Sequence, residues 1–358
     1  MSLADAQSRA GLKVTILTLD YRRHGRLLEP SHADLVSLPA TFLTRALRGW
    51  SLTFAKAATR LAQQHDVVHN HGLWMQPNRQ ARIAAQTAGV PLVISPRGML
   101  EHYSLNRSSL RKRAAMTAFE RRNLDSAALL HATSEEEAAS IRVTVPGTRI
   151  VVIPNVVAHI EVPRGEDGPL KSLLYLGRLD SKKGIDWLLD AWSLLASKHQ
   201  DWTLRIVGPV AMGFEDTLDA MKNRHNATPR VTWCAALDGI AKHQEIAAST
   251  AVVLPSRSEN FGNVVVEAMR HGKPVLATTA TPWKVLNDQD LGLQVSTDLE
   301  GIRAGLDRLL SMPAGALDAM GMRARDFALS TFSESEIGAL WARTYSDLLS
   351  RRSGSNIR

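Results

Sequence analysis

Short, almost wholly apolar runs, each followed by a stretch with helical periodicity, recur along the whole 358-residue chain. A strand solvated on one face alternates apolar and polar residues; one covered on both faces is apolar throughout, as in parallel sheets crossed by helices. The pattern therefore predicts an α/β chain of doubly wound parallel sheets. In the first half the runs are Lys13 to Leu19, Asp66 to His69, Pro91 to Ser95, Ala128 to Ala132 and Arg149 to Ile153. In the second they are Leu173 to Gly177, Thr203 to Val207, Arg230 to Cys234, Ala251 to Pro255 and Pro274 to Thr278, five strands in all. After the first of these, Ile185, Leu188, Leu189, Trp192 and Leu195 fall on one helical face. Leu43, Leu47, Trp50, Phe54 and Leu61 also recur at helical spacing; a core-facing stripe is expected, a membrane-facing one being the alternative. The segment from Pro154 to Ser172, rich in Pro, Gly and charge, is expected to link two domains, 1–156 and 157–335. Two such domains would face each other across a cleft, where open α/β sheets bind ligands at the carboxyl ends of their strands.

A composition of 44% hydrophobic and 22% charged residues excludes a disordered tail, and no apolar run approaches the roughly 18 residues a membrane-spanning helix needs. The start, MSLADAQSRAGLK, shows no basic region followed by an apolar one, and the single cysteine, Cys234, allows no intramolecular disulfide. A cytoplasmic location is expected. The net charge of +8 is uneven: residues 1–160 hold 20 Lys and Arg against 11 Asp and Glu, while the remainder is nearly balanced. Much of the excess lies in segment 107–122, where Arg107, Arg111, Lys112, Arg113, Arg121 and Arg122 accompany Leu110, Met116 and Phe119. Such a segment could face anionic lipid, nucleic acid or only water. Nucleic acid is disfavoured, since no aromatic residues interleave with the arginines as stacking platforms.

Two constellations could carry chemistry. Strand Leu173 to Gly177 runs into GRLDSKKG, so Arg178 leaves a strand end and Lys183 enters a helix start, where free N–H groups and two cations favour an anion. Alternatively, Arg178 pairs with Asp180 and Lys183 is solvated. The second constellation, AVVLPSRSENFGNVVVEAMRHGKPV, is a strand, a loop and a helix beginning near Asn263. Glu259 stands in the loop, an exposed Phe261 is expected beside it, Gly262 permits close backbone approach, and Glu267 is expected in the first helical turn. Local roles exist for both acids, as a capping box from Ser256 to Glu259 and as a complement to the helix dipole. His69 and His71 would share a strand face, but without a third ligand they make a weak metal pair. Asp288 and Asp290 lie in a polar segment and are expected to be solvated; no metal and no cofactor are expected.

GRLDSKKG followed by SENFGNVVVEAMRHGKPV resembles the retaining family-4 glycosyltransferases of GT-B fold, Glu259 and Glu267 having the spacing of their E-x7-E motif. VVHNHGLW and VISPRGMLEHYSL are similar to the bacterial branch that assembles cell-surface polysaccharide. The resemblance implies that Arg178 and Lys183 hold the nucleotide diphosphate and that Glu267 receives the ribose hydroxyls. It further implies that Glu259 and the backbone of Asn260, Phe261 and Gly262 address the transferred sugar. By the same analogy the main chain of Trp233, Cys234 and Ala235 lines the base pocket, His71 lies on the acceptor side, and Arg97 stands where related enzymes often carry a histidine. Because arginine cannot serve as a general base, proton transfer would fall to the donor's own phosphate. A final helix, 336–358, would cross back onto the first domain.

The implied reaction moves a sugar from a nucleotide donor to a lipid-linked glycan with retention, on the inner face of the plasma membrane. A sugar-nucleotide epimerase sharing the architecture and a donor-binding subunit without turnover are the rivals. Members of the family begin with a strand and Gly-rich turn ahead of the first helix, whereas this sequence opens in what reads as that helix. The first strand of the sheet is therefore expected to be missing, with a true start upstream.

Overall fold

The computed structural model describes residues 2–21, 29–106, 109–158, 160–163 and 170–355. The chain divides into two compact units, Met1–Val156 with Glu334–Arg358, and Val157–Ser333.

In the first unit, β1 (Thr15–Asp20) pairs in parallel with β2 (Asp34–Pro39). A second parallel sheet runs β3 (Val68–His71), β4 (Leu92–Ser95), β5 (Leu129–Ala132) and β6 (Ile150–Val152). β4 and β5 are buried along their whole length, as their apolar runs require. Among the described residues the two sheets share no strand pairing. They are joined through side chains: Leu17, Leu19 and Leu38 pack with Phe54, Ala58, Ala62, Ala84 and Val68.

Sequence reading missed β2 because its positions alternate between exposed and half-buried, leaving no continuous apolar run. The expected core-facing stripe is also corrected. The chain breaks between helices Phe42–Ala46 and Leu52–Ala62, with left-handed Arg48 and Gly49 at the break. Phe54 is buried, but Leu43 and Leu47 are 57% and 45% exposed. In the basic segment, helix Ser109–Ala115 continues through Met116–Glu120 into Arg121–Asp125, burying Ala115 and Leu124 and exposing Leu110, Arg111, Arg113, Arg121 and Arg122. Arg107 lies outside the described residues. The final helix, Glu334–Ser355, buries Ile337, Trp341 and Leu348 against Ala6, Val93, Leu129 and Ile153.

The second unit holds one parallel sheet of β7 (Lys171–Leu176), β8 (Trp202–Val207), β9 (Val231–Cys234), β10 (Ala251–Leu254), β11 (Val275–Thr278) and β12 (Gly292–Val295). Their order is β12-β11-β10-β7-β8-β9. The expected linker thus ends at Lys171; its residues 159 and 164–169 lie outside the described set. Ile185, Leu188, Leu189, Trp192 and Leu195 are all buried on helix Ile185–Leu195. Side chains of this size stabilise by about 1.5–3 kcal/mol each when fully buried. Six strands stand where five were expected. β12, at the sheet edge, begins with Gly292, where a Cβ would lie 2.2 Å from the Val275 carbonyl oxygen, and carries a polar Gln294, so it has no apolar run to announce it.

Candidate donor site

The strand order places the site. The chain winds outward from β7 to β9, then returns to the other side of β7 with β10 and winds outward to β12. β7 and β10 therefore flank the reversal of winding, the place where doubly wound sheets leave a crevice beyond their carboxyl ends. GRLDSKKG leaves β7 and PSRSENFG leaves β10, so both sequence constellations emerge there.

Several contacts hold the two loops together. Gly184 has a φ of +65°, and a Cβ there would stand 2.1 Å from the Pro255 carbonyl oxygen, so only glycine admits this approach. The Arg257 N–H donates to the Lys182 carbonyl at 2.8 Å. The Arg257 guanidinium donates to the Ser181 carbonyl, grips Asp186 with two bonds of 2.8 and 2.6 Å, and lies 3.7 Å from the centre of the Trp187 ring. Burial pushes the Asp186 carboxyl up, but the Arg257 hydrogen bonds and charge bring it below its ordinary pKa. Tyr175, fully buried on β7, donates to the Arg178 carbonyl at 2.9 Å and supports the turn from beneath. Burial, then the charges of Asp180 and Glu259, raise its phenol well above the usual range. Sequence reading missed Arg257 and Tyr175; the partners of Arg257 are revealed only once the loops meet.

Lys183 Nζ donates to Glu259 Oε2, joining residues 76 positions apart. Arg178 donates from Nε to Asp180 at 2.8 Å, the alternative weighed from sequence, yet its side chain remains 60% exposed. Lys183, by contrast, is mostly buried rather than solvated. Asn260 brings a buried side-chain oxygen, Oδ1, with no hydrogen-bond partner in the protein. A buried acceptor left unpaired costs on the order of 1–3 kcal/mol, and a ligand hydroxyl would remove that cost.

Three expectations are corrected. Phe261 is 5% exposed, packed edge-on against Trp283 and Phe332, because the loop turns it inward; its carbonyl accepts from Trp283 Nε1. The helix Asn263–Arg270 starts after left-handed Gly262, so Glu267 is its fifth residue, beyond the first turn. The capping box does not form: Ser256 reaches Glu259 only at 3.5 Å and no helix begins there. Glu267 instead accepts from Lys242 Nζ at 2.7 Å, which ties it to the helix Gly239–Ala248 following β9. Trp233 packs against the unit's core with Lys222 Nζ 5.1 Å from its ring centre. Cys234 Sγ accepts from Arg205 at 3.5 Å, and Ala235 is exposed just beyond the strand.

In the first unit β3 does continue to His71, and the His69 and His71 rings stack at 4.2 Å. Arg97, at φ +57°, donates to His71 Nδ1 at 3.2 Å and to Asn155 Oδ1. Its loop is pinned by buried Glu137, which accepts from the N–H groups of Gly98 and Thr133 at 2.6 and 2.7 Å. Desolvation by packed neighbours, then the Arg97 charge, push His71 below its ordinary pKa, although the residue is exposed. Asp288 and Asp290 are engaged by Lys284 and Arg323. No group of three or more His, Cys, Asp or Glu suited to a metal exists among the described residues.

Comparison with known proteins agrees with this architecture. Residues 1–156 match the family model for a glycosyl transferase 4-like domain and residues 170–312 the model for glycosyl transferases group 1. The chain belongs, by fold and by both domain matches, to the GT-B glycosyltransferases. An uncharacterized glycosyltransferase of Haemophilus influenzae is 30% identical over 48% of this chain and 49% of its own length. The chain thus spans about half of that relative. A glycogen synthase of Mycobacterium tuberculosis is 28% identical over 82% of this chain and 72% of the relative. Among solved structures, HepE of Anabaena in complex with UDP and glucose superposes with a TM-score of 0.71 at 19% identity, covering 96% of this chain and 95% of HepE.

Proposed function

We propose that this protein is a retaining, metal-independent glycosyltransferase that moves a sugar from a nucleoside diphosphate donor to a lipid-linked glycan. It would serve cell-surface polysaccharide assembly at the cytoplasmic face of the membrane. The observation that carries this reading is the meeting of Lys183 and Glu259 at the reversal point of the sheet, beside exposed Arg178 and the unpaired Asn260 oxygen. Two cations, an acid and an orphan acceptor at one crevice fit a diphosphate with a hydroxylated ring attached. The likeness to HepE, solved with UDP and glucose, supports a nucleotide-sugar donor.

In this reading the bond between the anomeric carbon and the β-phosphate oxygen breaks, and the acceptor oxygen bonds to the same face of the ring. The acceptor's proton passes to the departing phosphate oxygen. Arg178 and Lys183 face the growing negative charge; at an effective dielectric near 20, a unit charge about 4 Å away contributes roughly 4 kcal/mol before desolvation. Glu267 takes the ribose hydroxyls, and the main chain of Trp233, Cys234 and Ala235 addresses the base. His71 and Arg97 belong to the acceptor side. The exposed face bearing Leu110, Arg111 and Arg113 supports reversible docking on anionic lipid, each basic side chain adding about 1 kcal/mol near such a surface. No described helix is long and apolar enough to cross a membrane.

Purified protein given a lipid-linked acceptor and a panel of uridine, guanosine, adenosine and thymidine diphosphate sugars should release nucleoside diphosphate with one of them. The product should keep the donor's anomeric configuration by NMR. Arg178→Ala should depress turnover at saturating donor, and Glu267→Ala should raise the donor KM. A sugar altered without diphosphate release would instead identify an epimerase.

A further inference from the structure

We propose that Glu259 is an internal competitor for the donor's diphosphate: it holds Lys183 until donor displaces it and retakes Lys183 to expel the nucleoside diphosphate product. The inference rests on the donor-site reading and adds to it a role in product release.

The two cations of the site are held unequally. Asp180 is 6% exposed and fixed three ways, by Arg178 Nε, by Arg178 again through Nη2, and by the Lys182 N–H at 2.8 Å. That pair forms within one turn, two residues apart, and belongs to the loop's own structure. Glu259 sits on the other loop; besides Lys183, the Ser256 hydroxyl approaches its carboxylate at 3.5 Å, too long for a firm bond. Its backbone is anchored separately, the Glu259 N–H donating to the Ala280 carbonyl at 3.0 Å. The carboxylate can therefore leave Lys183 without disturbing the loop. Lys183 is 17% exposed and Glu259 14%, so little water reaches the ammonium and an anionic partner is favoured.

A diphosphate arriving at Lys183 meets a carboxylate already there and must replace it. With a sugar attached, the released carboxylate finds ring hydroxyls to accept from, and the exchange is balanced. With the nucleoside diphosphate the transferred sugar's hydroxyls are gone, the carboxylate is left beside a like charge, and its return to Lys183 drives the product out. Glu259 thus discriminates donor from product at the group they share.

The test compares Kd values by calorimetry for wild type, Lys183→Ala, Glu259→Gln and Glu259→Asp. The probes are UDP, GDP, ADP and TDP, their glucose conjugates, and inorganic pyrophosphate, which carries the diphosphate without a base. Glu259→Gln should tighten the bare diphosphates and pyrophosphate by about tenfold while leaving the sugar conjugate unchanged or weaker, so that product inhibition rises. Glu259→Asp, which keeps the charge, should not show the gain; a merely structural Glu259 would weaken all ligands alike in both variants. If Lys183→Ala weakens diphosphate binding but Glu259→Gln does not strengthen it, the competitor role is overturned and the donor site stands. If Lys183→Ala leaves diphosphate binding unchanged, the donor site itself is overturned, and the competitor role with it. Thermal melts of each variant confirm that the comparison is between folded proteins.

Discussion

Gly184 and Arg257 fasten the two loops of the candidate site by opposite means, one by having no side chain and one by having a long one. Gly184→Ala places a methyl group where the Pro255 carbonyl oxygen lies 2.1 Å away, on a backbone at φ +65°. A loss of 2 kcal/mol or more is expected, roughly 1 from the left-handed backbone and the remainder from displacing the carbonyl, read as a lower urea midpoint at unchanged slope. Arg257→Lys keeps the charge but not the two-pronged grip on Asp186. It should raise the donor KM several-fold with a modest change in stability, since a partly exposed pair contributes only about 1 kcal/mol. Arg178, Lys183 and Gly262 could be singled out in sequence because strand ends and helix starts impose strong local demands. Arg257 could not: its partners lie 71 and 76 residues away, and no local pattern distinguishes a staple from a solvated arginine. Phe261 was misplaced for the converse reason, since a loop aromatic reads as exposed until Trp283 and Phe332 close around it.

At the scale of elements, a directed chain of hydrogen bonds runs across the first unit. His131 Nε2 must donate to the Ile153 carbonyl, so its Nδ1 accepts from Ser95; Ser95 then accepts from His69 Nε2, whose Nδ1 accepts from the Tyr345 hydroxyl, which accepts from Gln7. Every link is satisfied only while both imidazoles are neutral. Burial, then the Arg97 charge, lowers His131 to about 3; burial, then the charges of His71, His131 and Arg97, lowers His69 well below its ordinary value. The unfolded chain takes up protons at these residues below about pH 6.5 and the folded chain does not. Stability is therefore whole above that pH and falls on acidification, by up to about 1.4 kcal/mol per pH unit for each histidine, for His131 as far as about pH 3. Urea midpoints between pH 7 and pH 4 should show this slope, reduced by one proton's share in His131→Gln. Sequence supplied the two histidines on one strand face but not this arrangement, which draws on three strands and both terminal helices. Strands β2 and β12 escaped because neither carries a continuous apolar run, β2 for its exposed positions and β12 for Gly292 and Gln294.

For the molecule as a whole, the divided sheet of the first unit predicts uneven protection. β1 and β2 form a two-stranded ribbon held to the rest by helix side chains, whereas β3 to β6 form a sheet with a buried centre. Their amides should exchange with deuterium well before those of β4 and β5, as a separate cooperative unit. Uniform exchange across all six strands would contradict that division. The final helix has a different consequence. Trp341, fully buried with Val93, Leu129 and Ile153, belongs to a core that the final helix completes with residues synthesised far earlier in the chain. On the ribosome, the core of the unit that emerges first is not completed until the helix Glu334–Ser355 has been made, so the second unit, contiguous in sequence, is free to fold ahead of it. A premature stop near residue 333 would spare the later-made half and leave the earlier one to chaperones and proteases.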